Sequence, residues 1–183
     1  LGGSPPSLLG LGTQLDPLRV NPAIIPPPGA FANLNPVVVI SPTTITVTFV
    51  STGFNFIKIF AFLDSTTRYT VGMRVNGDAS LSYGTTPSGD NHAVDKANFI
   101  FDVGDNQLGG QFLELSLTNF GNKKRLTAGI ERDFSGVVDG ANLSGVYANA
   151  SIISSVTFFG VDGGGPGGTP NFTSDCRIMV LGI

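Results

Sequence analysis

Eight of the twelve prolines in this 183-residue chain fall at or before residue 36: Pro5, Pro6, Pro17, Pro22, Pro26, Pro27, Pro28 and Pro36. Each fixes its own φ and removes an amide donor, so this stretch cannot enter a helix interior or a central strand. The expectation is an extended, polyproline-like arm over residues 1–36 and a globular domain over residues 37–183. Only Asp16 and Arg19 bring charge into the arm. Its apolar residues, Leu8, Leu9, Leu11, Leu15, Leu18, Val20, Ile24, Ile25 and Phe31, set it apart from a flexible linker, which is ordinarily rich in serine and charge. They predict an arm that buries these side chains on neighbouring chains, at roughly 25 cal/mol per Å² of apolar area removed from water.

Beyond residue 36 the apolar pattern has period 2. In Thr44-Ile45-Thr46-Val47-Thr48-Phe49 the apolar residues share one face and the threonines the other, as a half-buried strand requires. The same reading predicts strands over 54–63, 68–75, 98–103, 111–118, 125–132, 144–149, 152–159 and 176–181. Asn76-Gly77-Asp78 carries hairpin-turn chemistry, and residues 163–168 read as a glycine-rich loop. No window shows a capped 3.6-residue period. The expected fold is therefore all-β, an antiparallel β-sandwich of jelly-roll type preceded by the proline-rich arm.

Charge narrows the partners. Charged residues make up 13% of the chain and the formal net charge is -3, and Lys123-Lys124-Arg125 is the only basic run, so no nucleic-acid partner is expected. That triplet reads as a solvated hairpin tip. The longest apolar stretch, 54–63, is broken by Asn55 and Lys58 and falls short of the roughly 20 residues that span a bilayer, so no membrane partner is expected either. Residues 1–12 lack the basic and apolar regions of a signal peptide. One cysteine, Cys176, makes no internal disulfide and leaves the redox compartment open.

Chemistry-bearing clusters are sparse. Asp90-Asn91-His92-Ala93-Val94-Asp95 holds the single histidine, but it follows a string of turn formers and reads as a solvated loop. Residues 102–106 lack calcium-loop spacing. The two glutamates, Glu114 and Glu131, fall within predicted strands on solvent-facing or inter-subunit positions; a β-sandwich glycosidase or lyase would need them as a carboxyl pair. No nucleophile elbow and no phosphate-binding loop are present. The chain is expected not to be an enzyme, with no catalytic residue, no metal and no cofactor. Glycan binding would fall to exposed aromatics, and Tyr83 and Tyr147 are the candidate contacts, Tyr69 being inward by alternation.

Residues 69–78 (Tyr69-Thr70-Val71-Gly72-Met73-Arg74-Val75-Asn76-Gly77-Asp78), Tyr83, the glycine-rich loop, Asn171-Phe172-Thr173-Ser174 and Arg177-Ile178-Met179-Val180-Leu181-Gly182 together resemble small virion modules of tailed bacteriophages. Such modules are jelly-roll or lectin-like sandwiches found as capsid decoration or cement proteins and as tail-fibre tips. The resemblance implies a structural or adhesive role in a virion, with other capsid or tail subunits as partners. Homo-oligomerisation is expected with it, a trimer being one symmetric form. A receptor- or glycan-binding module of a tail fibre is the alternative to a cement subunit.

Overall fold

Valine, isoleucine, threonine and phenylalanine, spaced two apart, favour pleated chain with one face against a core. The computed structural model describes residues 30–67, 69–86, 93–96, 99–101, 110–134, 137–161 and 169–183. Among them run thirteen strands and no helix: β1 (Ala32–Asn33), β2 (Val37–Ile40), β3 (Thr44–Thr48), β4 (Phe56–Leu63), β5 (Thr70–Val75), β6 (Tyr83–Thr86), β7 (Ala93–Lys96), β8 (Phe99–Phe101), β9 (Gln111–Thr118), β10 (Lys124–Phe134), β11 (Val137–Tyr147), β12 (Ser155–Val161) and β13 (Arg177–Gly182). Antiparallel pairing joins them into an eight-stranded sheet, β1-β13-β4-β9-β10-β11-β6-β7, and a five-stranded sheet, β2-β3-β12-β5-β8.

The two sheets bury their facing rows against each other. Ile57, Ile59, Ala61 and Leu63 of β4 and Leu113, Leu115 and Leu117 of β9 line the larger sheet's inner face; Ile45 and Val47 of β3, Val71, Met73 and Val75 of β5, and Val156 and Phe158 of β12 line the smaller one's. Register enforces this, since Ile59 faces Leu115 and Ala61 faces Leu113 across the β4–β9 pair, and directly opposed residues share a face. Gly145 is a place where close packing needs a missing side chain: a Cβ there would lie 2.7 Å from the Phe99 ring and 2.9 Å from the Gly84 carbonyl.

Strand pairing begins earlier than the proline content suggests. Ala32 and Asn33 pair with Gly182 and Leu181 of β13, and the Leu34 amide donates to the Val180 carbonyl at 2.9 Å. Residues 32–34, counted with the arm by composition, thus lie along the larger sheet, and Phe31–Ile183 forms one compact unit. Pro36 is tolerated because it precedes an edge strand, where no ladder donor is needed. Three further expectations change. Asn76 and Gly77 do make a turn with φ of 53° and 67°, closed by the Asp78 amide on the Val75 carbonyl at 3.0 Å, yet it hands the chain from the smaller sheet to the larger one and closes no hairpin. Ala93, Val94 and Asp95, the last three residues of the 90–95 stretch read as solvated loop, belong to strand β7, which pairs with β6. Lys124, read as part of a solvated tip, is buried, and its Nζ donates to the carbonyls of Gly121 at 2.9 Å and Ala150 at 3.4 Å; burial pushes its amine below the ordinary lysine value.

Three loops at one end of the sandwich are tied by Asn119. Its Nδ2 donates to Ser51 Oγ at 3.0 Å, to the Ser51 carbonyl at 3.2 Å and to the Phe54 carbonyl at 3.0 Å, while its Oδ1 accepts the Ile153 amide at 2.8 Å. Ser51 Oγ in turn donates to the Ile153 carbonyl. The β3–β4, β9–β10 and β11–β12 connections therefore meet on one buried amide. Removing it strands several buried groups, each at a cost of about 1–3 kcal/mol. Asn119→Ala should lower the unfolding free energy by about 3 kcal/mol, seen as a lower urea midpoint at unchanged slope; an unmoved midpoint would show that the loops hold without it.

Candidate functional site

The outer face of the larger sheet follows from the same alternation that builds the core. Strand β4, Phe56-Ile57-Lys58-Ile59-Phe60-Ala61-Phe62-Leu63, is apolar on both faces, so satisfying the core with one row leaves Phe56, Phe60 and Phe62 on the other. Cross-strand register sets Phe112 of β9 opposite Phe62 and Met179 of β13 opposite Phe60. The Phe60 and Phe112 rings stack with centroids 6.3 Å apart and planes inclined by 28°. Near the other end of β4, Phe56 meets Phe120 edge-on at 5.7 Å.

Between the two aromatic groups lies one ion pair. Lys58 Nζ stands 2.5 Å from Glu114 Oε1 and 5.2 Å from the centre of the Phe60 ring. The pair neutralises its own charge, and two further charged residues take register positions beside the aromatic row, Arg177 of β13 opposite Phe62 and Glu131 of β10 opposite Phe112. Phe120 is 53% exposed, Phe56 and Met179 44% each, Phe62 39% and Phe112 37%. With about 200 Å² for a whole phenylalanine side chain, this amounts to roughly 400 Å² of uncovered apolar surface, as large as the biggest patch on a typical monomer and often functional there. The dipeptide alternation of β4 is the signal that could have located it: an aromatic row on each side of a strand that has only one core to fill.

The structure places the expected site residues as follows. Phe31 is exposed, just before β1. Leu8, Leu9, Leu11, Leu15, Leu18, Val20, Ile24 and Ile25 lie outside the described residues, as do Asp90, Asn91 and His92, residues 102–106 and the glycine-rich run. Glu114 is in the outer-face ion pair, and Glu131 takes the register position opposite Phe112 on β10. Cys176 is buried, its Sγ donating to the Asp64 carbonyl at 3.3 Å, and burial pushes the thiol up. Among the described residues no group of three or more histidine, cysteine, aspartate or glutamate side chains could hold a metal ion.

Tyr83 and Tyr147 require a correction. Both are fully buried, and their rings stack on each other at 4.8 Å, with Phe99 edge-on to Tyr83 at 4.9 Å. Neither ring offers a face to a sugar. Their hydroxyls serve the turn instead: Tyr83 Oη donates to the Asp78 carbonyl at 2.9 Å, and Tyr147 Oη to Asp78 Oδ2 at 2.9 Å. Burial raises both, Tyr83 to about 12. No family model matches this sequence, and no curated protein matches it significantly.

Asp78 gathers these contacts. The Ser80 hydroxyl and amide, followed by Tyr147 and Asn149, hold its carboxyl down at about 2, against an ordinary 3.8. The folded state therefore favours ionised Asp78, a contribution present at neutral pH and lost as pH falls from about 4 to about 2. Asp78→Asn should cost about 1 kcal/mol at pH 7, and the gap from wild type should close as pH approaches 2 in urea titrations. A gap independent of pH would mean that the carboxylate charge is not what holds the turn.

Proposed function

We propose that this chain is a non-catalytic structural subunit of a virion, a decoration or cement protein that attaches to neighbouring virion subunits through its N-terminal arm. The observation that carries the reading is the aromatic outer face of the larger sheet. A sandwich sheet facing water normally alternates apolar-in with polar-out, and an exposed aromatic field marks a surface for association.

The strand order supports the finer architecture. Within the larger sheet, β1-β13-β4-β9 runs beside β3-β12-β5-β8 of the smaller one. Read as eight successive strands, these two sets follow the order of a jelly roll, with β6, β7, β10 and β11 extending the larger sheet as insertions. Such a body presents two broad faces and no deep cleft is required of it; attachment by an arm and a sheet face suits it.

The reading is tested on particles. An antiserum against the chain, used in immunogold microscopy and quantitative mass spectrometry of gradient-purified virions from the producing culture, should label particle surfaces and find the chain in a fixed ratio to the main shell subunit. Recovery of the chain only in the particle-free fraction would contradict it.

A further inference from the structure

The outer face of the larger sheet carries residues of opposite charge at the two ends of its aromatic row, and that asymmetry selects what can cover it. Resting on the reading of this face as a surface for association, we infer that it packs against the same face of a second copy, about a two-fold axis that runs along the strands between β4 and β9.

Register lays four residues in one row across the face. Arg177 of β13 stands opposite Phe62 of β4, Phe62 opposite Phe112 of β9, and Phe112 opposite Glu131 of β10. These strands are consecutive neighbours in the sheet, so the row reads cation, phenylalanine, phenylalanine, anion. A two-fold axis through its middle sets β13 of each copy over β10 of the other, and β4 over β9. Arg177 then meets the second copy's Glu131 at both ends of the row, and Phe62 meets Phe112 twice between them. Arg177 is exposed. Its guanidinium donates to the Ser174 and Cys176 carbonyls at 2.6 and 2.8 Å and pairs with no carboxylate among the described residues. An unrelated partner would have to offer an anion and a cation about 14 Å apart, three strand spacings. A second copy supplies both by symmetry, because an isologous contact uses the same patch twice.

The next row agrees in shape. Met179 stands opposite Phe60, Phe60 opposite Glu114 and Glu114 opposite Gly129, so the same axis sets Met179 of each copy over Gly129 of the other. A Cβ at Gly129 would have only the Asn142 side-chain oxygen near it, at 3.8 Å. The exposed methionine thus meets a position with no side chain, the kind of gap a flexible thioether fills. Lys58 and Glu114 are already paired within each copy and need nothing across the interface. An axis along the strands keeps the two sheets aligned, as sandwich packing prefers. Four strands about 4.8 Å apart and the eight residues of β4 at about 3.3 Å each cover about 500 Å² per copy, or about 1,000 Å² in all, the size at which specific interfaces begin.

Sedimentation equilibrium on the full-length chain tests this. Wild type should be a dimer. Arg177→Glu and Glu131→Arg each place two like-charge pairs across the axis and should raise the dissociation constant about tenfold or more, with an unchanged circular-dichroism spectrum. The double variant Arg177→Glu/Glu131→Arg should dimerise like wild type again, and the two single variants mixed together should form a one-to-one heterodimer. Met179→Asp, in the neighbouring row, should weaken the dimer independently of the charge pair. A monomeric wild type, single reversals that associate like wild type, or a double variant that stays monomeric would overturn the inference. A monomer found on virions in a fixed ratio to the shell subunit refutes the dimer and leaves the proposed function standing; a dimer that is absent from virions does the reverse.

Discussion

Side chains on a strand point alternately to two faces, whereas a two-layer sandwich has one interior, and β4 is apolar on both of its faces. Everything distinctive in this molecule depends on how that conflict resolves. The row Ile57, Ile59, Ala61 and Leu63 goes inward because the opposing sheet supplies Ile45, Val47, Val156 and Phe158 to pack against. A slip of one residue would exchange the rows and bury Lys58. The lysine therefore fixes the register, and the phenylalanines that accompany it on the outer row are left facing water.

The end of the sandwich that carries the loops is built differently, from polar side chains that tie one loop to another, Asn119 and Ser51 buried and Asn76 and Asp78 half-buried. Asn119 and Ser51 join three connections, and Asn76 accepts the amides of Ser154 and Ser155 through its side-chain oxygen at 2.8 and 3.1 Å. Asp78, held by Ser80 and the two tyrosines, completes the set. Such networks define one geometry because each unpaired member would be costly in a low-dielectric interior. They also explain the tyrosines: a ring that packs and a hydroxyl that reaches a turn have no reason to face solvent.

Much of the fold was legible from alternation. The strand expected over 111–118 is β9, residue for residue, and those over 44–49, 54–63 and 68–75 contain β3, β4 and β5. What alternation could not supply was the rest. Val37–Ile40 is uniformly apolar and follows a proline, so it shows no period; β6 and β7 are four residues each, too short to show an alternation; β11 runs through Gly140, where the sequence reads as a break. Lys124 looks solvated beside Lys123 and Arg125, yet two loop carbonyls from distant positions satisfy its amine. The outer aromatic face was visible as residues in β4 and β9, but only pairing in register brings Phe62 to Phe112 and Phe60 to Met179.

A photoreactive phenylalanine analogue at position 112 of the full-length chain, irradiated on gradient-purified virions, tests most directly whether the outer aromatic row that the β4 register leaves facing water is a surface for association. Cross-linked peptides should join position 112 to another virion subunit or to a second copy of the chain. Particles carrying the chain with no cross-link from position 112 to any other polypeptide would contradict it.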